Sequence, residues 1–332
     1  MYLDKFFFLV SAIVICTSAS HFLDQEWNAW KSKYGKTYIS HEREFFRRKI
    51  WEDSWEKVQK HNQLADQGLK KYRLEMNQFA DKTAQDHVSR PCFRSTPKSG
   101  RFASAPVYSY DRNTELPKEA DWRKSKCVTP VRNQGELCGS CWAFAAISVL
   151  ESRYCIKKNK VIYFSEQQFV DCDEKNDGCC GGWPIDAFEH VAENGIMRRK
   201  DYEYTQQKNE CGYNSNKAVM LNVTKFYTLP EEQNMAMSVA LEGPITVAIG
   251  VSEELQMYEK GIFDGECAEE VNHAVTIVGY GTKAAENEDE EDEDYWIIKN
   301  SWGKNWGENG YIRMKRNSNQ CDIATKAATV DF

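Results

Sequence analysis

The sequence predicts an α+β protein of two lobes meeting at a cleft, preceded by a mainly helical segment. Three observations carry this. Between residues 22 and 67, Trp27, Trp30, Tyr34, Phe45, Phe46, Ile50, Trp51, Val58 and Leu64 fall largely at three-and-four spacings, and no proline interrupts them. That pattern predicts one or two amphipathic helices. The stretch from Cys141 to Tyr154 is apolar nearly all round, as a buried helix would be. Four later segments, Ile245 to Val251, Ala274 to Tyr280, Tyr295 to Ile298 and Tyr311 to Lys315, carry strand patterning.

The elements follow in order. Lys5, the apolar run Phe6 to Ile15 and the small residues Ser18, Ala19 and Ser20 have the layout of a secretory signal, too short to span a bilayer. No other stretch reaches the roughly 18 apolar residues a spanning helix needs. Export would make disulfides admissible for the 12 cysteines. After the amphipathic segment, residues 89–117 hold Pro91, Pro97, Pro106 and Pro117, which reads as an extended linker and a processing zone. The buried helix and the strands come next. Eight of the nine residues from Glu286 to Asp294 are acidic, a run read as a solvated loop, or else as a surface for a basic partner, a cation or the chain's own N-terminal segment.

At 332 residues the chain can build one large or two medium cores. A net charge of −7 and the absence of any Lys/Arg-rich run argue against a nucleic-acid partner. The charge is unevenly divided: residues 1–115 carry a net +5 and the remainder a net −12. A cationic N-terminal segment therefore faces an anionic body.

Six histidines are present, and only His190 and His273 lie beyond the linker. His190 sits inside a helical pattern and reads as structural. His273 begins a strand, a rigid position suited to a general base. Cys141 lies where the loop Asn133 to Ser140 enters the apolar helix. Unpaired N–H groups and the helix dipole would there favour a thiolate, and an adjacent imidazolium would complete a nucleophilic pair.

The strings CGSCWAF at 138–144, NHAVTIVGYG at 272–281 and KNSWGKNWGENGYI at 299–312 resemble the papain family of cysteine proteases, as do SEQQFVDC at 165–172 and GCCGGWP at 178–184. Upstream, Arg47, Trp51, Val58 and Asn62, then Asn77, Phe79 and Asp81, resemble the motifs of cathepsin L-like propeptides. This resemblance implies a papain-like two-lobe fold with a helical lobe and a β-barrel-like lobe. Its expected layout is a signal peptide over 1–20, an inhibitory propeptide over 21–115 that is cleaved within 106–115, and a peptidase domain over 116–332. It further implies Cys141 as nucleophile, His273 as its acid–base partner, Asn300 orienting the imidazole, Trp302 shielding that bond, and Gln134 donating to the oxyanion together with the Cys141 N–H. Gly181, Gly182, Trp183, Pro184, Ala248, Val271, Ala274, Trp302 and Lys326 would contact substrate, with Trp183, Pro184, Ala248, Val271, Ala274 and Lys326 around the pocket for the second residue before the scissile bond. The implied partners are protein or peptide substrates, the propeptide as intramolecular inhibitor and cystatin-type inhibitors; the protein would be a monomer, without cofactor or metal, in the lysosome or outside the cell. The implied disulfides are Cys138–Cys179, Cys172–Cys211 and Cys267–Cys321. Cys127, Cys155 and Cys180 are left over, with Cys127–Cys155 as a candidate fourth bridge.

The chain departs from the family pattern at several places. Glu136 and Leu137 stand where one residue is usual before Cys138, which either displaces the oxyanion donor or bulges away from the cleft. Ala145 replaces a common serine. The Cys141–Asn300 separation of 159 residues is long. Arg43, Ser54 and Glu75 depart from the propeptide motifs and point to a looser propeptide. Lys326 at the pocket floor either selects acidic side chains or reaches solvent or Asp322. Asn222-Val223-Thr224 is a sequon. Two other functions stay open: a catalytically silent, propeptide-gated binding protein, and a thiol–disulfide oxidoreductase using the C-x-x-C at 138–141, which lacks a βαβ setting. A zinc site using Cys179 and Cys180 would need two further ligands.

Overall fold

The computed structural model describes residues 21–83, 86, 101–111, 113–285 and 291–332. The expected secretory signal, Cys16, Cys92 and most of the acidic run lie outside these. Residues 21–34 form helix α1 and His41–Asp66 form α2. Ser40 caps α2 by accepting from the Arg43 N–H, and Glu42 and Glu44 sit in its first turn, where the helix dipole favours anions. Its buried positions, Arg47, Trp51, Ser54, Val58 and His61, alternate by four and three and so form one stripe. Trp51 there meets Trp27 and Trp30 of α1, with ring centroids 5.5 and 6.2 Å away. Ser54 fits this stripe as a small buried residue, so the looser packing expected of the propeptide is not what its helices show.

The chain then turns back as β1 (Tyr72–Leu74). Asn62 holds it to α2 with a two-way bond: its amide donates to the Leu74 carbonyl (2.8 Å) and its oxygen accepts the Leu74 N–H (3.0 Å).

The body has two cores. One is helical, around α3 (Cys141–Lys158), α4 (Glu166–Cys172) and α5 (Pro184–Asn194). The other is built on a sheet of β2 (Lys225–Thr228), β3 (Ile245–Ile249), β4 (Tyr258–Phe263), β5 (His273–Lys283), β6 (Glu293–Lys299), β7 (Tyr311–Lys315) and β8 (Ala328–Asp331). The spatial order is β1-β4-β7-β6-β5-β3-β8-β2. The N-terminal β1 thus extends the sheet by pairing antiparallel with β4, Tyr72 opposite Gly261. The four segments read as strands from the sequence are β3, β5, β6 and β7. Among the described residues no helix is long and apolar enough to cross a membrane.

Two features of this fold position the site. Helix α3 lies against β5, where the Thr276 hydroxyl donates to the Ala145 carbonyl (3.4 Å); Ala145 is a buried packing position. β5 and β6 pair antiparallel, with Thr276 opposite Lys299 at one end and Lys283 opposite Glu293 at the other. The start of β5 and the end of β6 therefore share an edge. The acidic run joins the opposite end, roughly 20 Å away at about 3.3 Å per residue. The long Cys141–Asn300 separation is thereby absorbed far from the cleft.

Candidate active site

His273 opens β5 and Asn300 immediately follows β6, so antiparallel pairing brings together residues 27 apart in sequence. The His273 Nε2 lies 2.8 Å from the Asn300 Oδ1. Trp302 covers this pair: its ring stacks on the imidazole at 4.6 Å and is 7% exposed. Trp306 supports it edge-on at 4.9 Å.

Cys141 is the first residue of α3 and is not disulfide-bonded, and its side chain lines the same cleft as His273, Gln134 and Trp302. Gln134 is buried and held from several directions. Its backbone N–H donates to the Ser301 carbonyl (2.9 Å), and its Oε1 accepts the Ser301 hydroxyl (2.6 Å). Its Nε2 donates to the Cys138 carbonyl (3.3 Å), and its own carbonyl accepts the Tyr204 hydroxyl (2.8 Å).

The loop carrying Gln134 is anchored at both ends. On one side the Arg132 guanidinium reaches Glu151 (2.7 Å) and Glu166 (2.6 Å), both fully buried. Burial pulls the Arg132 pKa down, but these two carboxylates push it up by more. On the other side Cys138 is bonded to Cys179. Between the anchors Gly135 turns with φ +72°, and a Cβ there would lie 1.7 Å from the Gln206 side chain. Glu136 and Leu137 follow between the same anchors and point outward, Leu137 being 81% exposed. The additional residue is an outward bulge and leaves Gln134 seated. Ser301 falls within the 299–312 string, whereas Tyr204, Arg132 and Glu151 support the site without any local motif to mark them, because each acts through a partner distant in the chain.

The remaining pocket residues also converge. Ala248 and Ala274 are opposite one another in the β3–β5 register, and with Trp183 and Val271 they join the helical core. Pro184 begins α5. Gly181 has φ +113°, and a Cβ on Gly182 would lie 2.2 Å from the Asn176 amide oxygen that receives the Trp183 N–H (2.6 Å). The Lys326 ammonium lies 6.0 Å from the Trp183 ring and 4.9 Å from the ring of Phe102, in the single helical turn Arg101–Ser104. These aromatic rings, and not Asp322, are what it meets. His190 is buried beside Gln168, and burial lowers its pKa to about 4, in keeping with a structural role.

The disulfides among the described residues include Cys138–Cys179, Cys172–Cys211, Cys267–Cys321 and Cys127–Cys155. Cys180, which lines the cleft, is also disulfide-bonded. Asn222 is exposed, with φ +52°.

The N-terminal segment lines one side of the cleft, through Lys33, Tyr34, Gln78, Phe79 and Lys82. Gln78 donates to the Trp302 carbonyl (3.0 Å), and the Phe79 ring meets the Trp302 ring edge-on at 4.9 Å. Asn77 donates to the Gln256 carbonyl (2.7 Å) and accepts, through its own carbonyl, the Trp30 indole N–H (2.9 Å). Among the described residues, five ion pairs cross to the body with one polarity, cation on the N-terminal side: Lys36–Glu136, Lys82–Glu136, Lys57–Glu253, Lys71–Glu293 and Arg73–Glu259. His61 joins Glu254 at 2.9 Å.

A family model described as papain family cysteine protease matches residues 116–330. The chain belongs to the papain family of cysteine proteases. A second model, the cathepsin propeptide inhibitor domain (I29), matches residues 27–86, a span that includes the N-terminal residues lining the cleft. Named relatives include a "Cathepsin L-like peptidase" of Aedes aegypti, 37% identical over 98% of each chain, and "Cathepsin S" of Bos taurus, 37% identical over 95% of this chain and 97% of that one. Among solved structures, digestive procathepsin L 3 from the Tenebrio molitor larval midgut superposes with a TM-score of 0.83 at 33% identity, covering 93% of this chain and 99% of that one. This papain-family protease therefore has the architecture of a zymogen, with the propeptide as intramolecular inhibitor.

Proposed function

We propose that the protein is a secreted cysteine endopeptidase, active once residues 21–115 have been removed from a peptidase domain spanning 116–332. The observation that carries this is the meeting of the His273–Asn300 pair with Cys141, a thiol at the N-terminus of a buried helix. With Nε2 engaged by Asn300, the His273 Nδ1 is left to serve Cys141. The thiolate attacks the substrate carbonyl carbon, and a C–S bond forms. The oxygen takes the negative charge, held by the Gln134 amide and the Cys141 N–H. The imidazolium then protonates the amine, the C–N bond breaks and an acyl-enzyme remains. Water, deprotonated by the imidazole, attacks the thioester and restores the thiol. Ser301 aligns Gln134, and Trp302 keeps water from the His273–Asn300 bond.

Acid activates the zymogen. Burial alone would raise the Glu136 pKa, but the Lys82 and Lys36 ammoniums outweigh it and hold the carboxyl below its usual value. At Glu254 burial is likewise outweighed, by bonds from His61 and Tyr72. A carboxyl whose pKa is lowered in the zymogen stabilises propeptide docking above its ordinary pKa and loses that contribution as pH falls through the lowered one. The same attraction is screened by salt, so roughly 0.5 M salt at neutral pH speeds propeptide release; an unchanged rate would remove charge as the latch. The enzyme acts as a monomer on protein or peptide substrates, in the lysosome or outside the cell, is open to cystatin-type inhibitors and carries glycan on Asn222. The deciding experiment is turnover of a fluorogenic dipeptide after acid treatment. Processed protein that binds the peptide without cleaving it would be a silent binding protein, and the proposal would fall.

A further inference from the structure

The outward bulge has two residues where the family pattern has one, and the first of them, Glu136, is a carboxylate. Glu136 receives two propeptide ammonium groups, one on each oxygen: Lys36 at 3.1 Å on Oε1 and Lys82 at 2.6 Å on Oε2. Its position is well defined despite its exposure, because Gln134 on one side is buried and bonded to Ser301 and Cys138 on the other is disulfide-bonded. Asn133 forms a β-bridge with Trp302, so residues 133–136 and 302–305 make one wall of the cleft beside Cys141 and His273. The pocket of Trp183, Ala248, Ala274 and Lys326 contributes no residue to this wall. If that pocket takes residues before the scissile bond, this wall receives those after it.

We infer that Glu136 is a specificity-determining residue of the mature enzyme, binding the lysine or arginine side chain of a substrate residue on the leaving-group side of the scissile bond. The inference rests on the protease reading above. The propeptide is the template: it shows that an ammonium can approach either oxygen of this carboxylate at hydrogen-bond distance while the neighbouring chain lies in the cleft. When the propeptide leaves, a substrate cation takes the place of its two lysines. The opposing charge on the same wall is Lys304, which is exposed. It competes with substrate for Glu136 and keeps the effect to that of a solvent-facing ion pair, about fivefold in rate.

The test uses processed enzyme and internally quenched peptides that are identical except for Lys, Ala or Glu at the first or second position after the scissile bond. The expected kcat/KM ratio of Lys to Ala is about 5 at low salt at one of these positions, with Glu below Ala. In Glu136→Gln, and in wild type at roughly 0.5 M salt, the ratio falls toward unity. Equal ratios in wild type and Glu136→Gln, or a ratio insensitive to salt, would overturn the inference. Glu136→Asp guards against a misfolded variant and should retain part of the preference. Absence of turnover on every peptide would instead refute the protease reading, so the two failures are distinguishable.

Discussion

Glu75 stands where the propeptide pattern usually has a small or apolar residue, and its surroundings give an unusual pH dependence. Burial is the main force raising its pKa to about 7; Lys33 pulls it down and Glu259 pushes it up. Its backbone N–H donates to the Met257 carbonyl (2.8 Å), which fixes it at the propeptide–peptidase boundary. A carboxyl whose pKa is raised on folding contributes fully below its unfolded value near 4.5, and its contribution is lost as pH rises through the folded value of about 7. Because the side chain is partly exposed, solvent reduces the cost at about pH 8 to about 1–2 kcal/mol. Glu75→Gln keeps the shape and removes the ionisation. In a zymogen blocked by Cys141→Ala, this substitution should therefore raise stability by about 1–2 kcal/mol near pH 8, roughly 2–4 °C in Tm, and leave it nearly unchanged near pH 4.5. The assay is thermal unfolding of both proteins across that range. Equal differences at both pH values, or destabilisation at the alkaline end, would refute the reasoning. By the same linkage Glu75 would oppose the acid release proposed for Glu136 and Glu254, and would set an upper limit to the pH range in which the zymogen is most firmly closed.

Three other outcomes concern the cleft. Gln134→Ala should lower kcat of the processed enzyme about 10²-fold with little change in stability at the Cys138–Cys179 anchor, read from steady-state kinetics beside an unfolding curve. Lys326→Ala should lower kcat/KM about tenfold for peptides with Glu in the Trp183 pocket and hardly at all for Leu; identical peptide-library profiles would take Lys326 out of specificity. Non-reducing peptide mapping of the zymogen should find Cys180 in a disulfide-linked peptide. The described cysteines other than Cys141 and Cys180 are paired with one another, and a reduced Cys180 would contradict this.

What is legible in the sequence divides by the range of the interaction. The helix Cys141–Lys158 and the strands around Ile245, Ala274, Tyr295 and Tyr311 are visible because their apolar patterns are local. Cys141, His273 and Asn300 are visible through motifs, yet the meeting of His273 with Asn300 depends on the β5–β6 register and that of Cys141 with them on the packing of α3 against β5, neither of which motifs state. The effect of Glu136 and Leu137 is open in the sequence because it depends on anchors at Arg132 and Cys138, whose partners Glu151, Glu166 and Cys179 lie 19 to 41 residues away. The propeptide's charge complementarity is legible as a net difference. Its execution is not: Lys36 meets Glu136 across 100 residues and Lys57 meets Glu253 across 196. For Lys326 the sequence offers Asp322, a local neighbour, whereas the fold places it over Phe102 and Trp183.

The central claim is that Cys141 is a reactive thiolate that the propeptide covers. The most direct measurement is labelling by a thiol-directed epoxide at about pH 5–6, below the ordinary thiol pKa, followed by peptide mapping, before and after complete propeptide removal. The account predicts no modification of Cys141 in the intact zymogen and stoichiometric modification of Cys141 in the processed enzyme, abolished by His273→Ala. Absence of labelling after complete removal, or equal labelling of zymogen and processed enzyme, would contradict it.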